Sequence, residues 1–138
     1  MTPIEPHMLF CTCCHYGIVD PHLVFALTRF QDLTKLPIII DSGYRCHAHN
    51  AAVGGAPLSQ HLTGRAADIA CPPLSPLELY LVAEQIPAFA NGGIGLYPAN
   101  YIHLDTRRVR ARWFRRTGLD QHILTFLTAH VHMPTVLS

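Results

Sequence analysis

No stretch of the 138 residues holds the run of about eighteen apolar residues that a membrane-spanning helix needs, so no membrane partner is expected. Internal repeats, low-complexity tracts and linker-like segments are also missing, and residues 1–138 are expected to form a single domain. The start, Met1-Thr-Pro-Ile-Glu-Pro-His7, has neither the basic beginning nor the apolar stretch of a secretory signal. Synthesis in the cytoplasm without export by a leader is therefore expected. Charged residues are scarce at 14%, against 49% hydrophobic, which is enough for a real core but leaves no room for an additional binding module of ordinary size.

The few charges are unevenly placed. Residues 1–100 hold four Lys or Arg against seven Asp or Glu, a net of −3, and residues 101–138 hold six against two, a net of +4. The excess lies in Arg107-Arg-Val-Arg-Ala-Arg112-Trp-Phe-Arg115-Arg116. Such a run either attracts an anionic polymer or forms a solvated helix or strand edge. Aromatic interleaving is limited to Trp113-Phe114, too little for a base-stacking platform, so nucleic acid is not expected as a partner.

Five cysteines make an odd count, with Cys11, Cys13 and Cys14 crowded beside His15, and Cys46 and Cys71 apart. The crowding fits buried reduced thiols, a disulfide to Cys46, or a structural metal, although Cys-x-Cys-Cys-His is not the paired spacing common in zinc sites.

Local signals give a frame of elements. Asp20 caps a helix with Pro21 at its first position, and Leu23, Leu27 and Phe30 recur on one face as far as Leu36. Pro37 to Ile40 reads as a short buried strand leading into Ser42-Gly43, and a short helix is expected from His47 to Val53, stopped by Gly54-Gly55. Ser75-Pro-Leu-Glu78 is a capping box for a further helix that Pro87 ends. Asn91-Gly92-Gly93 turns into a strand from Ile94 to Tyr97, where glycine allows close backbone approach. A last helix is expected from Leu119 to Val131. This order predicts an α+β fold, a small, largely antiparallel sheet with packed helices.

The chemistry concentrates in Ser59-Gln-His61-Leu-Thr-Gly64-Arg-Ala-Ala-Asp68 and, thirty-five residues beyond Asp68, His103-Leu-Asp105. Two imidazoles and one carboxylate suit a catalytic zinc, because hydrolytic sites use three nitrogen or oxygen ligands and leave the fourth position to water. Ser59 to Gly64 reads as a turn and Ala66 to Ala70 as a buried strand stopped by Pro72-Pro73. Strand alternation puts Tyr101, His103, Asp105 and Arg107 on one face, with Ile102 and Leu104 on the other.

Together with Ser42-Gly-Tyr-Arg45-Cys, His49-Asn50, Val53-Gly-Gly55, Gly92-Gly-Ile-Gly95-Leu-Tyr97 and Arg112-Trp113, these motifs resemble the zinc peptidases that cleave bacterial cell-wall peptides. That group includes D-alanyl-D-alanine carboxypeptidases and dipeptidases and phage L-alanyl-D-glutamate endolysins, and it shares the hedgehog/DD-peptidase fold. The resemblance runs from about residue 10 to residue 113. It implies that His61, Asp68 and His103 bind zinc, and that Arg45, sixteen residues before His61, holds a substrate carboxylate or carbonyl. A guanidinium offers two parallel donors for either group, which agrees with that role.

The pattern departs from the family at one place. Relatives carry Glu or Asp three residues before the last histidine, where this chain has Asn100, which cannot accept a proton. Asp105 is the nearest replacement as general base, and it can equally serve to orient a liganding imidazole. His49, between Arg45 and His61, is the next base candidate; the other histidines without a motif role read as surface or satisfied core groups.

The leading expectation is therefore a zinc peptidase acting on the peptidoglycan stem peptide in the cell wall or periplasm, as a phage lysis enzyme would, with a monomer as the default. The alternative is a binding module for cell-wall or other polymer that keeps the metal without catalysis, as the hedgehog signalling domain illustrates, and Asn100 is its support.

Overall fold

A computed structural model describes residues 1–115, 121–130 and 135–137. The Asp20 carboxylate accepts from the His22 backbone N–H at 3.0 Å, so helix α1, Pro21–Thr34, starts at the expected cap. It ends two residues before Leu36, because Lys35 turns into the left-handed region at φ 58°. Strand β1, Ile39–Ser42, begins later than the sequence suggests and is an edge rather than a buried strand, with Ile39 51% exposed. The apolar run misled because Ile38 and Ile40 alone turn inward toward the core.

Helix α2, His47–Ala52, is followed by a 3-10 turn over Gln60–Thr63 and strand β2, Ala66–Ala70. The Ser75–Glu78 capping box forms in both directions and opens α3, Pro76–Ala83. That helix stops before the expected end, and Pro87 opens a separate short helix, α4, Pro87–Ala90, since proline suits a first turn as well as it ends one. Three strands follow: β3, Gly93–Leu96, β4, Ile102–Asp105, and β5, Ala111–Arg115. Helix α5 spans Gln121–His130, within the expected range; Leu119 and Val131 lie outside the described residues. Strand β6, Thr135–Leu137, was not anticipated.

The sheet order is β1-β2-β4-β3-β5-β6, with antiparallel pairing from β1 through β3 and parallel pairing of β5 to β3 and β6 to β5. This is the expected α+β architecture. One face carries Ala67, Ile69, Ile94, Leu96, Ile102, Leu104 and Phe114 into a core shared with Leu23, Leu27 and Phe30 of α1, Leu79 of α3 and Phe89 of α4. Each large side chain buried there contributes about 1.5–3 kcal/mol of hydrophobic stabilisation. No described helix is long and apolar enough to cross a membrane.

The opposite face carries the polar residues. Because neighbours across a sheet share a face, the register lays Ser42, Asp68, His103, Gly95 and Trp113 in one row across five strands. A second row holds Ala66, Asp105, Gly93 and Ala111. A Cβ on Gly95 would lie 2.3 Å from Trp113 Nε1, and one on Gly93 would lie 2.3 Å from Asp105 Oδ2. The two glycines of β3 therefore let the side chains of β4 and β5 lie over the strand between them.

Candidate metal centre

The turn before β2 sets His61. Ser59 accepts from the His61 backbone N–H, and Gly64 ends the turn at φ 73° with its backbone against the Ile18 carbonyl, where a Cβ would come within 1.9 Å. Only glycine meets both conditions. His61 Nδ1 donates to the Gly43 carbonyl at 2.7 Å, so its proton is fixed on the outer nitrogen and Nε2 carries the lone pair. That Nε2 lies 3.2 Å from Asp68 Oδ1.

His103 is set the opposite way round. Its Nε2 lies 2.8 Å from Asp105 Oδ2 and its Nδ1 3.0 Å from the same Asp68 Oδ1, so a ring that keeps its proton toward Asp105 turns the Nδ1 lone pair to Asp68. Two ring nitrogens and a carboxylate oxygen thus converge on one point, with the three ligand atoms within 4.8 Å of one another. Such a convergence needs either an imidazolium proton or a cation between the groups. Nitrogen and oxygen donors from three residues, with outer partners fixing each ring, match a zinc site with an open position.

The charges around this point are tightly held. Burial alone would raise the Asp68 carboxyl, but bonds from His103 and His61 hold it well below the usual carboxylate range. Asp105 is likewise driven below that range, because His103 and Arg107 outweigh its burial. For His103, burial favours the neutral ring, and the Asp105 and Asp68 carboxylates overcome it and raise the pKa.

Arg45 stands behind Asp68. Its Nη2 donates to Asp68 Oδ2 at 3.1 Å, Nε to Ser42 Oγ at 3.0 Å and Nη1 to Asn50 Oδ1 at 3.3 Å. Asp105 has no exposed surface. Its Oδ1 accepts from Gly93 N, Arg107 N and Arg107 Nε, and its Oδ2 from His103 Nε2 and Arg107 Nη2. The carboxylate is saturated with donors and faces the back of His103.

In front of these residues lies a cleft of about 1010 Å³. It is lined by Arg45, His61, Asp68 and His103, by Tyr97, Tyr101 and Trp113, and by Gly54, Gly55, Ala56, Leu58 and Ser59. The Tyr97 and Tyr101 rings stack at 5.2 Å, and Trp113 Nε1 donates to Tyr97 Oη at 2.7 Å. The Trp113 ring lies 4.9 Å from that of His103. Burial, with the Asp68 charge, keeps the Tyr101 hydroxyl protonated above its ordinary pKa. Asn100, Asp105 and His49 do not line the cleft, and Asp68 is the only carboxylate that does among the described residues.

The arginine run lies beside the cleft, with Arg108, Arg110 and Arg115 exposed. Arg107, Arg110, Arg112 and Arg115 reach the cleft, and most are already paired. Arg107 holds Asp105, while Arg110 and the buried Arg112 both hold Glu84 and cap α4 carbonyls. Arg115 lies over the Tyr97 ring at 5.9 Å, and Arg116 is outside the described residues. Three features escaped the sequence reading: the Gly43 carbonyl on His61, the Arg107 grip on Asp105 and the Glu84 pairs. A backbone carbonyl has no residue-type signal, and Glu84 is more than twenty residues from its partners.

A family model described as Peptidase M15 matches residues 5–105. No curated protein matches the chain.

Proposed function

The chain belongs to the peptidase M15 family, and from that premise we propose that it is a zinc-dependent peptidase hydrolysing a peptide bond of bacterial peptidoglycan. The observation that carries the reading is the convergence of His61 Nε2, His103 Nδ1 and Asp68 Oδ1, each with its outer side tied to another group. A zinc ion held there would supply a Lewis acid and a water of lowered pKa.

The remaining residues orient and bind. Gly43 and Asp105 fix the two ring tautomers, and Arg107 with the Gly93 N–H fixes Asp105. Asp105 thus acts as a positioning residue, since all its lone pairs face donors away from the cleft. Arg45 presents its guanidinium to the cleft and aligns a substrate carboxylate or carbonyl, while its bond to Oδ2 leaves Asp68 Oδ1 for the metal. The Tyr101 hydroxyl is a donor for a substrate oxygen. Arg107, Arg110 and Arg115 make the mouth cationic, which suits the free carboxylates of a stem peptide.

A second reading has one observation in its favour. With Asn100 exposed and no carboxylate in the cleft besides Asp68, the described residues supply no carboxylate to take the proton of an attacking water, as a binding module would tolerate. Peptidoglycan zymography separates the two. Clearing that chelator abolishes and zinc restores supports the peptidase, and a zinc-loaded protein that binds the wall without clearing it supports the module.

A further inference from the structure

The N-terminal cysteines form a cluster that the cleft does not use. Cys11 and Cys14 are a Cys-x-x-Cys pair with Cys13 nested inside it, which is the spacing the crowded sequence obscured. The turn closes on itself through Cys11 N to Tyr16 O at 2.7 Å and His15 N to Cys11 O at 2.8 Å, and His15 takes the left-handed φ of 58° needed to reverse the chain. This turn brings its thiols to Cys46, which directly follows Arg45 and caps α2.

The sulfurs of Cys11, Cys13 and Cys46 lie within 4.8 Å of one another, and Cys14 follows Cys13 directly in the same turn. All are free thiols. The His49 backbone N–H donates to Cys46 Sγ at 3.4 Å. Three thiolates at these separations, with Cys14 in the same turn to supply the fourth, match the sulfur donor set of a structural zinc.

We propose that Cys11, Cys13, Cys14 and Cys46 hold a second zinc ion, in a closed site separate from the cleft. Binding transfers the thiol protons to solvent and leaves the metal with sulfur ligands alone. The ion clamps the N-terminal turn to the loop that carries Arg45, a contact otherwise maintained by Tyr44 N to Leu9 O at 2.7 Å and by the edge-to-face packing of Tyr16 on Tyr44.

The test is metal analysis of protein purified under reductant, with the cleft emptied by a His61→Ala/His103→Ala double variant. The proposal expects about one zinc per chain to remain, lost again in a further Cys13→Ser/Cys14→Ser change, both exposed positions. Cobalt loaded into the double-histidine protein should give the thiolate-to-metal charge-transfer absorption of a sulfur site. A metal-free double variant whose thiols alkylate at once, or a non-reducing mass that reports a disulfide among these cysteines, would overturn it. Because the cleft ligands are removed from the outset, these outcomes do not depend on whether the protein is a peptidase.

Discussion

Asp105 Oδ2 and His103 Nε2, two residues apart on β4, lie 2.8 Å from each other on the side of the imidazole that faces away from Asp68. A carboxylate there steers the ring and raises its basicity without reaching the cleft. Asp105→Asn should therefore loosen zinc by about ten- to a hundredfold, with turnover largely restored by added metal. Zinc titration beside the kinetics checks this. Normal zinc affinity with turnover lowered by about a hundredfold or more would instead make Asp105 the proton acceptor.

Arg45→Lys keeps the charge but cannot serve Ser42, Asn50 and Asp68 together as the guanidinium does. The expected result is a loss in kcat/KM on the natural wall peptide of at least about tenfold, near 1.4 kcal/mol of transition-state stabilisation. Near-normal kinetics would assign Arg45 a structural role alone.

How far the sequence could be read depended on how local each signal was. The α1 cap at Asp20, the Ser75–Glu78 box and strand Ala66–Ala70 depend on neighbouring residues and appear where expected. The strand alternation that put Tyr101, His103, Asp105 and Arg107 together also correctly set His103 and Asp105 side by side. Features that needed the third dimension were not legible. Whether Ile39 is buried depends on β1 being a sheet edge, and the role of Asp105 depends on Arg107 and Gly93 exhausting its lone pairs. The arginine run read as one block, although Arg107 goes to Asp105, Arg110 and Arg112 to Glu84, and Arg115 to the Tyr97 ring.

Gly95 has room for no side chain beneath Trp113. Gly95→Ala should displace the indole and break its bond to Tyr97, at a cost of about 1–3 kcal/mol. As the chain has a single tryptophan, its fluorescence reports the site directly. An unchanged emission spectrum with unchanged thermal stability would contradict the packing described.

Stability should also depend on acid. Asp68 and Asp105 have folded-state pKa values below the ordinary 3.8, so folding favours their ionised forms. That contribution is fully present above the ordinary value and is lost as pH falls through it toward the folded values. In chelator-treated protein, Tm should hold from about pH 6 to about pH 5 and then fall steeply below about pH 4, with a shallower fall in Asp105→Asn. Parallel profiles for the two proteins would mean that Asp105 is not held ionised by its partners.

The most direct measurement is mass analysis of muropeptides after incubation with the purified, zinc-loaded protein. The expected products are muropeptides shortened by hydrolysis of one defined peptide bond, absent with chelator and absent in His61→Ala and His103→Ala. Muropeptides left intact by a folded protein that carries zinc on His61, Asp68 and His103 would contradict the peptidase reading.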